Sequence, residues 1–193
     1  MSPDESRNRV LAGAYECVAR VGIAKTTVED VARVSGVSRA TIYRLFPGGR
    51  DELLRDTVAW EMARFFAHLG AELGEAPDFE TFLERALPFA REAVLAHAVL
   101  QKVLETEPER LMPLITVEQH RVLEYITAYF LPLLARDQAA GLIRPGVDLE
   151  MCAEYVARMA LSLIASPGRH DLEDPDEVRR IVRDELLGGV LTR

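Results

Sequence analysis

The chain has 193 residues, of which 49% are hydrophobic and 28% charged, with only 12 glycines and 10 prolines. That composition excludes wholesale disorder and low-complexity or collagen-like architectures, and it supplies enough apolar chain for a sizeable core. The net charge of −8 is spread unevenly: residues 1–55 hold nine Lys/Arg against seven Asp/Glu, a net of +2, and the rest of the chain carries −10.

A head that is neutral to basic on an acidic body permits a nucleic-acid partner, because phosphates respond to the local field rather than to the whole-chain sum. Cys17 and Cys152 each fall in an apolar helical pattern and read as buried free thiols. Two cysteines do not make a disulfide scaffold. The polar start Met1-Ser2-Pro3-Asp4-Glu5 lacks the apolar stretch of a signal peptide, and no window approaches the roughly 20 apolar residues of a membrane span. A cytoplasmic protein with no cofactor and no membrane partner is expected.

Apolar residues recur at helical spacing nearly throughout, and nothing reads as strand. The spacing predicts a helix over 4–21, with Val10, Leu11, Ala14, Val18 and Val21 inward and Gly22 closing it. Helices over 27–34, 38–45 and 50–71 follow, the last with Leu54, Val58, Met62, Phe65 and Leu69 on one face. Another is expected over 78–97, then a short helix and bend to Pro113, and a long helix over 114–140 containing Pro132. The last two are expected over 148–165 and 175–187, the second opened by Asp174-Pro175. The fold class is all-α: a three-helix head over 1–49 and a helical bundle over 50–193, about nine helices in all.

The stretch from Thr26 to Phe46 carries most of the functional signal. Thr26 with Glu29 fits a capping box, and a short helix then buries Val28, Val31 and Ala32. Ser35-Gly36-Val37 is a tight turn, in which Gly36 supplies the positive φ. Ser38 caps a second short helix that buries Ile42, Leu45 and Phe46. Two short helices about a glycine turn make a helix-turn-helix, whose outward face here is Arg39, Ala40, Thr41, Tyr43 and Arg44. Small residues let a helix approach base edges, and Arg and Thr donate to bases or phosphates.

With Thr26-Thr27, Val31-Ala32, Ser35-Gly36-Val37-Ser38, Thr41-Ile42-Tyr43, Phe46 and Arg50-Asp51-Glu52-Leu53-Leu54, residues 7–54 resemble the head of TetR/AcrR (tetracycline-repressor-like) transcriptional regulators. The resemblance implies a homodimer with a DNA-binding head, a relaying fourth helix, a ligand pocket and a dimer-forming helix pair near the C-terminus. It implies phosphate contacts from Thr26 or Thr27, Tyr43 and Arg50, and a base-reading face of Arg39, Ala40 and Thr41. Ser38 and Arg44 complete the expected DNA-binding set.

The body offers weaker signals. Leu149, Cys152, Val156, Met159 and Leu163, with Val178, Ile181, Val182 and Leu186 on the final helix, read as a dimer face, though intrachain core reads the same way. Phe82, Phe89, Leu100, Leu104, Met112, Tyr125, Tyr129 and Met159 are candidates to line a pocket for an apolar or aromatic ligand, with His97 and His120 to anchor a polar end. Each of these serves simple packing equally well. His120 and Glu124 lie one turn apart, but nothing in the sequence completes a metal site, so no metal is expected. There is no Gly-rich phosphate loop, nucleophile elbow or His-Glu-x-x-His helix, and Glu105 and Glu107 read as solvated surface.

The expected function is a sequence-specific regulator, a repressor released from a palindromic operator by a small apolar or aromatic effector, and not an enzyme. The alternative is a small-molecule-binding helical protein without specific DNA readout.

Overall fold

The computed structural model describes residues 2–107, 109 and 119–192, with backbone alone at 119–121. Among the described residues are nine α-helices: α1 (Pro3–Val21), α2 (Val28–Ser35), α3 (Arg39–Leu45), α4 (Gly49–Leu73), α5 (Phe79–Ala96), α6 (Ala98–Thr106), α7 (Gln119–Ala139), α8 (Leu149–Ala165) and α9 (Pro175–Arg180). A π-helical segment, Ile181–Leu186, continues α9. The one extended pairing among them is an isolated bridge between Ile143 and Leu191. The described residues fall into two compact units: those within 1–68 and 97–112, and those within 69–96 and 113–193. The expected boundary after residue 49 therefore falls inside the first unit.

The first unit is organised by caps. The Ser2 hydroxyl accepts from the Glu5 amide while the Glu5 carboxylate accepts from the Ser2 amide, and Pro3 occupies the first helical position of α1. Thr27, not Thr26, caps α2: its hydroxyl accepts from the Asp30 amide at 3.1 Å. Gly36 ends α2 in the left-handed region, at φ 66° and ψ 22°. Ser38 caps α3 through the Thr41 amide at 3.2 Å.

Val10, Leu11, Ala14, Cys17, Val28, Val31, Val37, Ile42, Phe46 and Leu53 form one buried cluster under these three helices and the start of α4. An α3 of seven residues is too short to persist alone, so this floor holds it. Arg7 ties the edges together. Its guanidinium donates to the Leu45 carbonyl at 3.2 Å, pairs with Asp56, and lies 4.6 Å over the Phe46 ring.

Two expectations shift here. The buried residues of α4 are Leu53, Thr57, Phe66 and Leu69, with Trp60 packed on the cluster; of the expected stripe Leu69 is among them, whereas Val58 is 40% exposed. Leu53 and Leu54 are adjacent leucines, and the surface α4 meets, not its own periodicity, chooses between them. Val21 is likewise exposed although α1 otherwise buries its expected face.

In the second unit Phe79, Phe82 and Phe130 meet ring to ring at 5.2–6.1 Å, and α7 packs along α8, which in turn packs on α5. Asp137, on α7, is 1% exposed. It accepts from the Phe79 amide at 2.6 Å and from Arg136 at 3.0 and 3.1 Å, so its buried charge is fully partnered. The final helix does not keep α-periodicity to residue 187. The Leu187 amide reaches back five residues to the Val182 carbonyl, and this wider turn buries Ile181, Val182, Leu186 and Leu187 together. Cys17 and Cys152 are buried free thiols, and burial pushes both pKa values up.

Candidate nucleic-acid interface

The outward face of α3 is Arg39, Ala40, Tyr43 and Arg44, all exposed, with Thr41 half-buried beside them. Beneath it Ile42 is 1% exposed and Phe46 fully buried. The i, i+3, i+4 spacing of the apolar residues forces this division, because successive side chains on a helix turn by about 100°. Tyr43 is 51% exposed, its hydroxyl-bearing ring turned outward. Arg44 makes no ion pair with a described residue.

Arg39, the first residue of α3, donates from Nη1 to Oε1 of Glu29 on α2 at 2.8 Å. This bond holds the Glu29 carboxyl below its usual range. Asp30 is held low too, first by the Thr27 hydroxyl and then by Arg33. The exposed side of the motif thus combines donors on α3 with two acids on α2, each neutralised by an arginine.

The expected phosphate contacts divide. Thr27 is exposed at the start of α2, where backbone amides face outward. Thr26 is 1% exposed, and its hydroxyl donates to the Gly22 carbonyl at 2.7 Å, so it closes the α1–α2 loop instead of facing a partner. Arg50 is engaged in the same loop: Nε donates to the Thr26 carbonyl at 2.7 Å, Nη2 donates to the Ile23 carbonyl, and Nη1 lies 3.3 Å from Asp51. Its guanidinium staples the first turn of α4 to the loop before α2.

Glu107, expected at the solvated surface, accepts from the Ala24 amide at 2.8 Å and so holds that loop from α6. The sequence carries no local mark of this bond, which joins residues 83 positions apart. Arg9 is similarly engaged: it donates to the Ser35 carbonyl at 2.6 Å and fastens α1 to the end of α2.

The residues expected to line a pocket are divided between the two units. His97, Leu100 and Leu104 belong to the first unit, and Phe82, Phe89, Tyr125, Tyr129 and Met159 to the second; Met112 and the His120 side chain lie outside the described residues. His97 caps α6, its Nδ1 accepting from the Leu100 amide at 3.0 Å, and its ring meets Tyr15 edge to face. His97 Nε2 also faces Glu61 at 3.6 Å, but the cap occupies the nitrogen a base would use. Phe82 and Tyr129 are in ring contact at 6.0 Å, within the second unit's aromatic core. Leu104, Tyr125 and Met159 are 37–43% exposed. A cleft of about 370 Å³ in that unit, lined by Glu80, Asp137, Arg144, Arg183 and Leu191 among others, contains none of the expected residues. The Thr127 hydroxyl, which the sequence reading passed over, is buried without a hydrogen-bond partner among the described residues.

Of the residues expected at a dimer face, Cys152, Val156, Leu163, Val178, Ile181, Val182 and Leu186 are at most 8% exposed within one chain. Their side chains form the second unit's own core. Leu149 is half-buried, and Met159 is exposed. The apolar residues that α8 turns outward are instead Met151 at 72%, Tyr155 at 46% and Met159 at 37%. No three His, Cys, Asp or Glu side chains gather as metal ligands among the described residues.

Two capped helices about a left-handed glycine, with a basic, small-residue face turned outward, define a helix-turn-helix DNA-binding regulator. Residues 10–57 match the family model described as bacterial regulatory proteins, tetR family. An uncharacterised HTH-type transcriptional regulator of Mycobacterium bovis is 27% identical over 84% of this chain and 82% of its own. Among solved structures, the TetR-family repressor AlkX of Dietzia sp. strain DQ12-45-1b, implicated in biodegradation of n-alkanes, superposes with a TM-score of 0.67 at 20% identity, covering 96% of this chain and 97% of that one. The complex of triclosan with SmeT, repressor of a Stenotrophomonas maltophilia multidrug efflux pump, superposes with a TM-score of 0.58 at 18% identity, covering 97% of this chain and 92% of that one. At those identities the structural likeness establishes the fold, which is the all-α architecture with an N-terminal helix-turn-helix.

Proposed function

We propose that the protein is a dimeric repressor that binds a palindromic operator through α3 and leaves it when a small apolar or aromatic effector binds the body. The observation that carries this reading is the exposed row Arg39, Ala40, Tyr43 and Arg44 on a helix whose underside is locked by Ile42 and Phe46. Such a helix enters a major groove as a rigid unit, with Arg39, Ala40 and Thr41 toward base edges and Ser38, Tyr43, Arg44 and Thr27 toward phosphates. Arg50 supports the head from behind; its carbonyl contacts leave it a positioning role.

A two-fold dimer sets two such helices about 34–36 Å apart, which matches successive major grooves on one side of the duplex and requires a palindrome. The outward row Met151, Tyr155 and Met159 on α8 supports self-association, since apolar residues at i, i+4 and i+8 form one stripe that a second copy would cover. The likeness to the triclosan-bound efflux repressor and the Thr127 hydroxyl, buried without a partner among the described residues, support an effector with an apolar body and a polar end. Effector binding would act by shifting the population of head spacings away from that of the operator.

The test is selection of bound fragments from a randomised duplex library by purified protein at about 150 mM salt, a concentration that suppresses purely electrostatic binding. One palindromic motif is the expected result. Binding that is weak and independent of sequence would overturn the proposal in favour of a helical small-molecule-binding protein.

A further inference from the structure

We infer that Glu29 is a specificity-determining positioning residue: it holds the Arg39 guanidinium for guanine and withholds it from phosphate. The inference rests on the DNA-binding reading above and deepens it. Glu29 lies in the first turn of α2 and Arg39 at the start of α3, so the 2.8 Å bond crosses between the two helices of the motif on their exposed side.

Both side chains are about 60% exposed, at 63% for Arg39 and 60% for Glu29. An ion pair so open to water adds little to folding, so stability does not explain its presence. A carboxylate on a surface meant for a polyanion is moreover unfavourable unless it acts on a neighbour. The neighbour is the one arginine at the leading end of the recognition helix.

The donor count makes the pairing useful. Arginine carries five N–H groups in a planar fork. Glu29 takes Nη1, and Nε and Nη2 of Arg39 bond to no described residue. A fork held at one corner keeps a fixed plane, and a fixed plane is what bidentate donation to guanine O6 and N7 requires. The carboxylate also offsets the charge that would draw the guanidinium to the nearest phosphate, a contact that carries no sequence information.

Arg44 provides a contrast on the same helix. It is exposed and makes no ion pair with a described residue, so its charge is uncompensated and suits a phosphate. Arg39 and Arg44 therefore divide the work between base reading and backbone attraction, and Glu29 is what separates them.

The experiment measures affinity for the selected duplex, for the same duplex with its guanines replaced one position at a time, and for a scrambled duplex, each at several salt concentrations. Wild type is compared with Glu29→Gln, Arg39→Ala and Arg44→Gln, with thermal melting as the folding check. Glu29→Gln keeps an acceptor of the same shape and removes the charge. It is expected to cost roughly tenfold of the preference for guanine at one half-site position. It should also tighten binding to the scrambled duplex and steepen the salt slope by about one. Arg39→Ala is expected to abolish the preference at that same position. Arg44→Gln should weaken all duplexes alike and flatten the slope by about one.

If wild type prefers a motif and Glu29→Gln leaves both the guanine preference and the salt slope unchanged, the inference falls while the DNA-binding reading stands. It falls equally if Glu29→Gln and Arg39→Ala affect different positions. Wild-type protein that prefers no sequence overturns the reading itself, and the inference with it.

Discussion

Helices α3 and α8 make an instructive pair. The seven residues of α3 expose Arg39, Ala40, Tyr43 and Arg44 over a floor of Ile42 and Phe46, and the seventeen of α8 expose Met151, Tyr155 and Met159 over Ala153, Val156 and Ala160. Both obey the same geometric rule, one face in and one face out. The exposed chemistry is opposite: charge and small side chains on α3, sulfur and ring on α8. A donor-rich face suits a hydrated, charged groove, and an apolar stripe suits a second apolar surface. The contrast also shows where outward residues are recognisable beforehand. On α3 polar and apolar residues alternate cleanly around the helix, but α8 is apolar over more than one stripe, and only packing shows which stripe is inside.

Breaking the floor of α3 is expected to have the largest effect. Phe46→Ala empties a fully buried site beneath the recognition helix and should lower stability by about 3–5 kcal/mol in denaturant unfolding, with loss of the whole head. Charging the stripe of α8 comes next. Tyr155→Glu combined with Met151→Glu should raise the dimer dissociation constant by roughly thirtyfold or more in sedimentation equilibrium, with the fold intact because neither side chain is in the core. An unchanged dimer would place the interface elsewhere than on this stripe.

Tyr43→Ala tests the outward face of α3 without touching its floor. It is expected to weaken operator binding by about 5- to 150-fold in fluorescence anisotropy, with the dimer and the melting temperature unchanged. Loss of the dimer in that variant would refute the assignment. Arg50→Ala separates a positioning role from a phosphate contact. Removing its donors to the Thr26 and Ile23 carbonyls should cost the head about 1–2 kcal/mol, while the salt slope of DNA binding stays the same.

The smallest effect concerns acid. Asp30 is held below its ordinary pKa by the Thr27 hydroxyl and by Arg33, so its stabilising contribution is present above the unfolded carboxylate range and is lost as pH falls through the folded value. Asp30→Asn should therefore flatten the acid limb of the head's melting curve slightly, with little change at neutral pH.

Much of the head was legible in the sequence because its signals are local. Caps, a glycine turn and apolar residues at i, i+3 and i+4 act over four residues or fewer, and Gly36, Ser38, Ile42 and Phe46 stand where such signals place them. Even there the cap of α2 belongs to Thr27, since adjacent threonines offer the same hydroxyl one position apart. The roles of Arg50 and Glu107 were not legible, because their partners lie 24 to 83 residues away and carbonyls and amides leave no trace in a side-chain pattern.

Sequence alone thus determined the helical class of the whole chain, the helix-turn-helix and the outward face of α3, because periodicity and capping are properties of neighbouring residues. Tertiary structure alone decided the phase of α4, the inward stripe of α8, the π-turn after Arg180 and the exposure of Met151, Tyr155 and Met159. A helix that is apolar on several sides buries whichever face its neighbours cover most completely, and that choice is set by packing between segments far apart in the chain.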